Sequence, residues 1–81
     1  MNIDIKLFSV AKDLAGFHQR RVTLDEDARV HDVFEYLAEV NPKFQQWQRS
    51  FRLAVNLEYV SDSHPLREGD EVAVIPPVSG G

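Results

Sequence analysis

The sequence predicts a single α+β domain, in which one main helix lies across one face of a mixed sheet of four to five strands. Three observations support this fold class. Apolar and polar side chains alternate in residues 2–9 and again in residues 71–75, as in half-buried strands. Between these runs, residues 30–40 carry apolar side chains at helical spacing. With 81 residues, of which 43% are hydrophobic, the chain can build one small core.

The opening run, residues 2–9, is predicted to form the first strand. Its inward-facing side chains are Ile3, Ile5 and Leu7. Phe8 breaks the alternation, because it places an aromatic ring on the polar face. A helical turn over residues 10–15, ended by Gly16, leads to a second strand over residues 17–24. The short connection favours an antiparallel pair of strands.

The main helix is predicted over residues 30–40. Its apolar stripe consists of Val30, Val33, Phe34, Leu37 and Val40. Acidic residues at positions 25–27 precede it. Their negative charges either interact favourably with the positive end of the helix dipole or lie in a solvated loop. Asn41-Pro42 ends the helix, because a residue before proline avoids helical backbone angles.

The second half of the chain is predicted to complete the sheet. Residues 43–50 form a linker whose helical turn lays Phe44 and Trp47 over one end of the core. Alternation then predicts strands at residues 51–55, 59–60 and 71–75, with a tight turn at Asn56. The first strand is apolar enough to be central, and the last can pair with it in parallel. This order of elements is that of the β-grasp, or ubiquitin-like, architecture.

Composition argues against several classes of function. The net charge is −4 and the basic residues are scattered, so we expect no nucleic-acid partner. The chain has no cysteine, so it lacks a thiolate metal site and a cysteine nucleophile. No apolar run is long enough to span a membrane, and the first residues do not resemble a signal peptide. We therefore expect a cytoplasmic protein that has no membrane partner.

The folded part of the chain shows no convincing catalytic or cofactor site. His18, His31 and His64 are widely separated, and their spacing does not support metal binding. The thirteen carboxylates are explained by the solvated faces of strands and helix. No glycine-rich phosphate loop is present. We expect neither a bound metal nor a bound cofactor.

Phe8 and Ile75 are predicted to lie close together on the outer face of the sheet, because their strands are expected to be neighbours. Tyr59 is expected nearby. Apolar side chains on an otherwise polar face indicate a partner-binding patch formed by Phe8, Tyr59 and Ile75. Scattered exposed apolar residues, which are common, are the alternative. Because Ile75 directly precedes the tail, a partner docked here would receive the tail.

The chain closes with Pro76, Pro77, Val78, Ser79, Gly80 and Gly81. Two prolines hold the backbone extended, and two glycines leave the final carboxyl group without side-chain bulk. Six residues reach roughly 20 Å at about 3.3 Å each, enough for a carboxylate to enter a deep pocket of another protein. We therefore predict a β-grasp domain over residues 1–75 and a flexible, extended tail over residues 76–81. A frayed end is the alternative.

With this tail, the whole chain resembles the small subunits of molybdopterin synthase, a family of ubiquitin-like sulfur carriers. The shared motifs, besides the tail, are Lys12-Asp13-Leu14, Ala54-Val55-Asn56, His64-Pro65-Leu66 and Gly69-Asp70-Glu71-Val72. The family often has a larger aromatic residue at the position of Ile75. Gly-Gly at the end of a β-grasp chain, after Pro-Pro-Val, is the most specific of these features.

The resemblance implies a reaction at Gly81. An adenylyltransferase similar to ubiquitin-activating enzymes would join its carboxylate to AMP, using ATP and magnesium. A sulfur-donating protein would then convert it to a thiocarboxylate. The large synthase subunit, in a heterotetrameric complex, would receive the tail and pass the sulfur to cyclic pyranopterin monophosphate, forming the molybdopterin dithiolene. The chain would thus be a non-catalytic sulfur donor, since the acid–base groups belong to the large subunit.

Three alternatives remain open at this point. The first is a sulfur carrier for another pathway, such as that of thiamin, cysteine or a siderophore. The second is a ubiquitin-like modifier attached to lysines of other proteins. A plain interaction module with a frayed tail is the third. These differ in the partner, in the bond formed at Gly81, and in whether Gly80 and Gly81 matter at all.

Overall fold

The computed structural model describes residues 1–76, and its elements follow the predicted order. The strands are β1 (Asn2–Leu7), β2 (Gln19–Thr23), β3 (Arg52–Val55), β4 (Glu58–Tyr59) and β5 (Glu71–Ile75). The helices are α1 (Ser9–Ala15), α2 (Val30–Val40) and α3 (Phe44–Trp47). Within residues 1–76, no helix has the length and apolar character needed to cross a membrane.

The five strands form one mixed sheet in the order β2-β1-β5-β3-β4. β1 and β5 are parallel neighbours, and the other three pairings are antiparallel. A parallel pair needs a crossover connection, which here contains the main helix α2. The predicted β-grasp class is therefore confirmed, and the two strands predicted to be neighbours form the middle of the sheet.

One face of the sheet packs against the helices and forms the core. The largest fully buried side chains are Phe44, Ile3, Ile5, Leu7, Leu37, Val30, Val33, Val72 and Val74. The predicted stripe of α2 is confirmed except for Val40, whose side chain is 37% exposed in the last turn. Helical spacing identifies a face but does not show where along the helix the core ends.

Each end of α2 is held by a short polar residue. At the start, the carboxylate of Asp32 accepts a hydrogen bond from the backbone N–H of Arg29 at 2.8 Å. Asp32 is also the acidic group in the first turn of the helix. At the end, the backbone N–H of Asn41 donates to Leu37, and its side chain donates to the carbonyl oxygen of Leu14 at 3.0 Å.

The turn predicted at Asn56 is confirmed. Asn56 and Leu57 have φ angles of 50° and 72°, in the left-handed region that asparagine tolerates better than most residues. The side-chain oxygen of Asn56 accepts from the backbone N–H of Glu71 at 3.0 Å, and its amide donates to Asp70 at 2.9 Å. These bonds tie the end of β3 to the start of β5.

Candidate functional site

The side of the sheet that faces away from the helices, called the outer face below, carries the predicted patch. Val72 and Val74 point into the core, so Ala73 and Ile75 point to the outer face. Ile75 is paired with Arg52 across the β5–β3 ladder. Phe8 follows β1 with extended backbone, one position beyond the Leu7–Val74 pair, and so stands beside Ile75.

Tyr59 belongs to the same face but stands two strands away from Ile75. It is paired with Ala54, which is paired with Ala73. Ala54 and Ala73 therefore lie between Tyr59 and β1 on the outer face. Their side chains are short, so they do not form a raised contact surface there. The side chain of Tyr59 is 64% exposed and that of Phe8 is 44% exposed, whereas Ile75 is half-buried.

Arg52 bridges the gap between Ile75 and Tyr59. Its guanidinium carbon lies 5.7 Å from the centre of the Tyr59 ring, within the range of a cation–π contact. The patch is therefore a continuous strip across the end of the sheet, which we call the tail-base strip: Phe8, Ile75, Arg52 and Tyr59. Sequence reasoning missed Arg52, although its position between the inward-facing Phe51 and Leu53 was the signal that it faces outward.

Paired charges border the tail-base strip on the outer face. Lys6 and Glu71 form an ion pair at 3.0 Å, and each side chain is about one-third exposed. Arg21 and Asp4 form a second pair at 3.2 Å. Such exposed pairs contribute little to stability. Lys6 and Arg21 therefore each have a carboxylate partner on the outer face.

The tail leaves from the centre of this arrangement. β5 ends at Ile75, at the predicted domain boundary, and Pro76 follows directly. Phe8 stands on one side of this exit and Arg52 on the other. The remaining predicted tail residues are Pro77, Val78, Ser79, Gly80 and Gly81. These five lie outside the described residues, so their predicted flexibility and the predicted role of Gly81 stay predictions.

The histidines are not brought together. Within residues 1–76, the group that collects three possible ligand side chains is His31, Asp32 and Glu35, whose ligand atoms lie within 4.8 Å of one another. All three lie in the first half of α2 and none is buried. Exposed acidic groups at helical spacing produce such clusters without a metal, and we assign no metal site to this one.

Comparison with known proteins places the chain in a family. The ThiS family model matches residues 5–81. The molybdopterin synthase sulfur carrier subunit of Chlamydomonas reinhardtii is 32% identical over 83 residues, which cover all of both chains. This full-length match extends the similarity through the residues that the structure does not describe.

Solved structures agree with this assignment. Molybdopterin converting factor subunit 1 from Pyrococcus furiosus is 32% identical, with a TM-score of 0.86 over 96% of this chain and 99% of that one. The small archaeal modifier protein 1 of Haloferax volcanii is 28% identical, with a TM-score of 0.80 over 95% of this chain and 98% of that one.

A third structure has the same fold at lower identity. It is a complex of subunits 1 and 2 of the molybdopterin-converting factor from Helicobacter pylori, in which the matching chain is 22% identical. Its TM-score is 0.72, with full coverage of both chains. The resemblance stated from the sequence is thus confirmed at the level of the family, and this chain belongs to the ThiS family.

Proposed function

We propose that this chain is the sulfur-carrier subunit of a molybdopterin synthase and works in the cytoplasm. One observation carries the proposal: similarity to proteins of that name covers the whole chain, and the family match runs through Gly81. The absence of cysteine adds a chemical reason, since a sulfur carried by this chain cannot be held on a side-chain thiol. The carboxyl group of Gly81 is the alternative carrier.

The proposed reaction begins with activation of that carboxylate. A free carboxylate is a poor electrophile, because its leaving group would be oxide. An adenylyltransferase joins it to AMP and releases pyrophosphate from ATP. A donor that supplies sulfur at the sulfide level then attacks the carbonyl carbon and displaces AMP, which leaves a thiocarboxylate on Gly81. The activating enzyme, rather than this chain, binds ATP and magnesium.

The loaded carrier then gives up its sulfur. The thiocarboxylate sulfur attacks the carbon of cyclic pyranopterin monophosphate that is to be sulfurated, and the carbon–oxygen bond at that carbon breaks, so that the oxygen substituent leaves and takes up a proton. Water cleaves the resulting acyl–sulfur bond, which leaves the sulfur on the pterin and regenerates the Gly81 carboxylate. A dithiolene holds two sulfur atoms, so each product consumes two loaded carriers. Acid–base groups for these steps come from the large subunit in this proposal.

The fold suits a chain that presents its own end. β5 is bonded to strands on both sides, so the tail starts from a rigid base. Pro76 and Pro77 reduce the conformational entropy lost when the tail enters a channel. Gly80 and Gly81 have no side chains that would clash with enzymes closing around the carbonyl group. In this proposal the partner proteins bind the folded domain, and the reactions take place at Gly81.

The large subunit is proposed to bind the tail-base strip. In the Helicobacter pylori structure, subunit 1 is found in a complex with subunit 2. Exposed aromatic rings beside the tail exit offer the anchors that interfaces use most. A partner held there stands next to the point at which the tail leaves the sheet. The adenylyltransferase needs the same tail, and we propose that it docks on an overlapping surface.

Intact-mass measurement tests the carrier proposal directly. Chain co-expressed with its activating enzyme and sulfur donor is expected to contain a species about 16 Da heavier, because sulfur replaces one oxygen of the carboxyl group. Chain expressed without the activating enzyme is the control and should lack that species. If the heavier species never forms with both partners supplied, the carrier proposal is wrong.

The docking proposal predicts an effect of Phe8→Ala on partner binding. Loss of this anchor should weaken binding to the large subunit by about 2 kcal/mol, or roughly 30-fold in Kd. Titration calorimetry measures the change. Leu57→Ala is the matched control, because Leu57 is apolar and 88% exposed but lies in the turn between β3 and β4, beyond the Val55–Val72 pair and away from Phe8 and Ile75. Equal affinities for the Phe8→Ala variant and the unmodified chain would remove Phe8 from the interface.

A second candidate function is attachment to other proteins. The similarity to small archaeal modifier protein 1 favours it, since that protein is named as a modifier. Both functions start from an activated Gly81, but they differ in the nucleophile. A lysine amine would give an isopeptide bond, so lysine-linked adducts of Gly81 found by peptide mass spectrometry would support this candidate.

A further inference from the structure

Arg52 lies inside the tail-base strip, between Ile75 and Tyr59. It faces Ile75 across the β5–β3 ladder, and it stands two positions before Ala54, the cross-strand partner of Tyr59. Diagonal neighbours of this kind, on one face of a sheet, are within reach of long side chains. The cation–π contact with Tyr59 therefore holds an exposed guanidinium group within the strip, beside the tail exit.

Arg52 differs from Lys6 and Arg21 of the outer face in having no carboxylate partner. Lys6 is paired with Glu71, and Arg21 is paired with Asp4. These two carboxylates face each other across β1 and β5 at the start of β5, whereas Arg52 faces its last residue. The separation along the strand is roughly 13 Å at about 3.3 Å per residue. Both carboxylates are therefore out of reach of Arg52.

The acidic residues that follow β3 do not fill this role either. Glu58 is paired with Val55, whose side chain is buried in the core, so Glu58 belongs to the helix side of the sheet. Asp62 lines the same depression as Arg52 and Tyr59. Among residues 1–76, however, the guanidinium group of Arg52 takes part in no ion pair. The described part of the chain thus leaves this charge without a counterion.

Docking over the strip would remove water from this guanidinium group. A protein that covers both Ile75 and Tyr59 must also cover Arg52, because Arg52 lies between them. An arginine that is buried without a partner is strongly unfavourable, whereas a carboxylate can accept two parallel N–H···O bonds from it. The docked protein therefore has to bring the missing negative charge.

We propose that Arg52 determines the specificity of the strip by binding an aspartate or glutamate of the large synthase subunit. The carboxylate would sit between the apolar contacts made by Ile75 and by Tyr59. A protein with an apolar or basic side chain at that point would bind poorly, because Arg52 would be desolvated and unpaired. This inference rests on the proposed docking of the large subunit.

Calorimetric titration of the full chain with the large subunit tests the pairing. Arg52→Gln removes the charge but keeps much of the side-chain length, and it should raise Kd about tenfold. Arg52→Glu sets a carboxylate against a carboxylate and should raise Kd about a hundredfold. Arg52→Lys keeps the charge but loses the paired N–H geometry, so its Kd should lie between those of Arg52→Gln and the unmodified chain.

Arg67→Gln is the matched control for the loss of one positive charge. Arg67 is also exposed, but it lies in the loop before β5 and lines a depression with Asn56 and Asp70. Its replacement should change Kd less than about twofold, because an exposed charge far from the strip is screened by salt. An unchanged Kd for Arg52→Gln, or equal losses for Arg52→Gln and Arg67→Gln, would overturn the inference.

Charge reversal on both proteins identifies the partner residue. Each exposed aspartate and glutamate of the large subunit is changed to arginine in turn, and each variant is titrated with the Arg52→Glu chain. One of them should recover affinity about tenfold relative to the unmodified large subunit, as expected for residues in direct contact. If no variant recovers affinity, the pairing with a carboxylate is wrong.

The outcomes separate this inference from the proposed function. The thiocarboxylate is measured on the unmodified chain, so a failure of the carrier function appears there and does not involve Arg52. If the unmodified chain does not bind the large subunit, the docking proposal and this inference both fail. If it binds and the Arg52 variants bind equally well, only this inference fails.

Discussion

A chain that lacks Gly80 and Gly81 is expected to support no molybdopterin formation, although its folded domain stays intact. The shortened tail carries its carboxyl group on Ser79, whose side chain adds bulk beside the carbonyl carbon. The group would also stop about 7 Å short, at roughly 3.3–3.6 Å per residue. Both enzymes that act on the tail need the carbonyl carbon at a defined place, so activation and transfer should fail together.

Reconstitution measures this prediction. The deletion chain, the activating enzyme, a sulfur donor and the large subunit are combined with the pterin precursor, and product is quantified. Ser79→Ala is the matched control, because it alters the tail without changing its length, and it should remain active. The deletion chain, the Ser79→Ala variant and the unmodified chain should have the same thermal unfolding temperature, because the last strand, β5, ends at Ile75 before the altered residues. An active deletion chain would mean that the tail is only a frayed end.

Phe44→Ala is expected to lower the free energy of unfolding by about 3–5 kcal/mol, as for other buried aromatic residues. The Phe44 side chain is only 1% exposed, and its ring centre lies 5.9 Å from that of Phe51. Phe51 in turn stacks on Phe34 of α2 at 6.2 Å. Removing Phe44 therefore opens a cavity in the cluster that joins α3 to α2 and β3. For a domain of this size, that is a large share of the total stability.

Trp47→Ala is the matched control in the same short helix. Trp47 also stacks on Phe51, at 6.2 Å, but its side chain is 37% exposed. Its removal exposes the face of Phe51 without leaving an enclosed cavity, so the loss should be nearer about 1 kcal/mol. Urea unfolding followed by circular dichroism measures both. If the two variants lose equal stability, burial does not distinguish the two rings.

Much of the fold was predictable because its elements have strong periods. Alternation over residues 2–9 identified β1, and the run at residues 71–75 matches β5 to the residue. Helical spacing located α2 between the same ends as the structure does. Short elements are harder to locate than long ones, because a few residues carry little periodicity. The predicted short strand at residues 59–60 is shifted by one position in the structure, where β4 is Glu58–Tyr59.

The candidate site was predicted in part. Phe8 and Ile75 do stand next to each other, as expected from the pairing of β1 with β5. Tyr59 is two strands further away, and Arg52, which was not among the predicted site residues, connects it to the others.

The sequence by itself determined the type of protein: a β-grasp domain, the absence of any side-chain thiol, and a tail that closes with Gly80 and Gly81. These follow from local patterns and from composition, which need no knowledge of packing. The tertiary structure decided which residues share a surface. It buries Phe44 but exposes Trp47, leaves Val40 outside the core, and sets Arg52 between Ile75 and Tyr59. The physical reason is that the burial of a side chain and its neighbours on adjacent strands depend on strand register and on the position of the helices. Interactions among residues from the whole chain determine both.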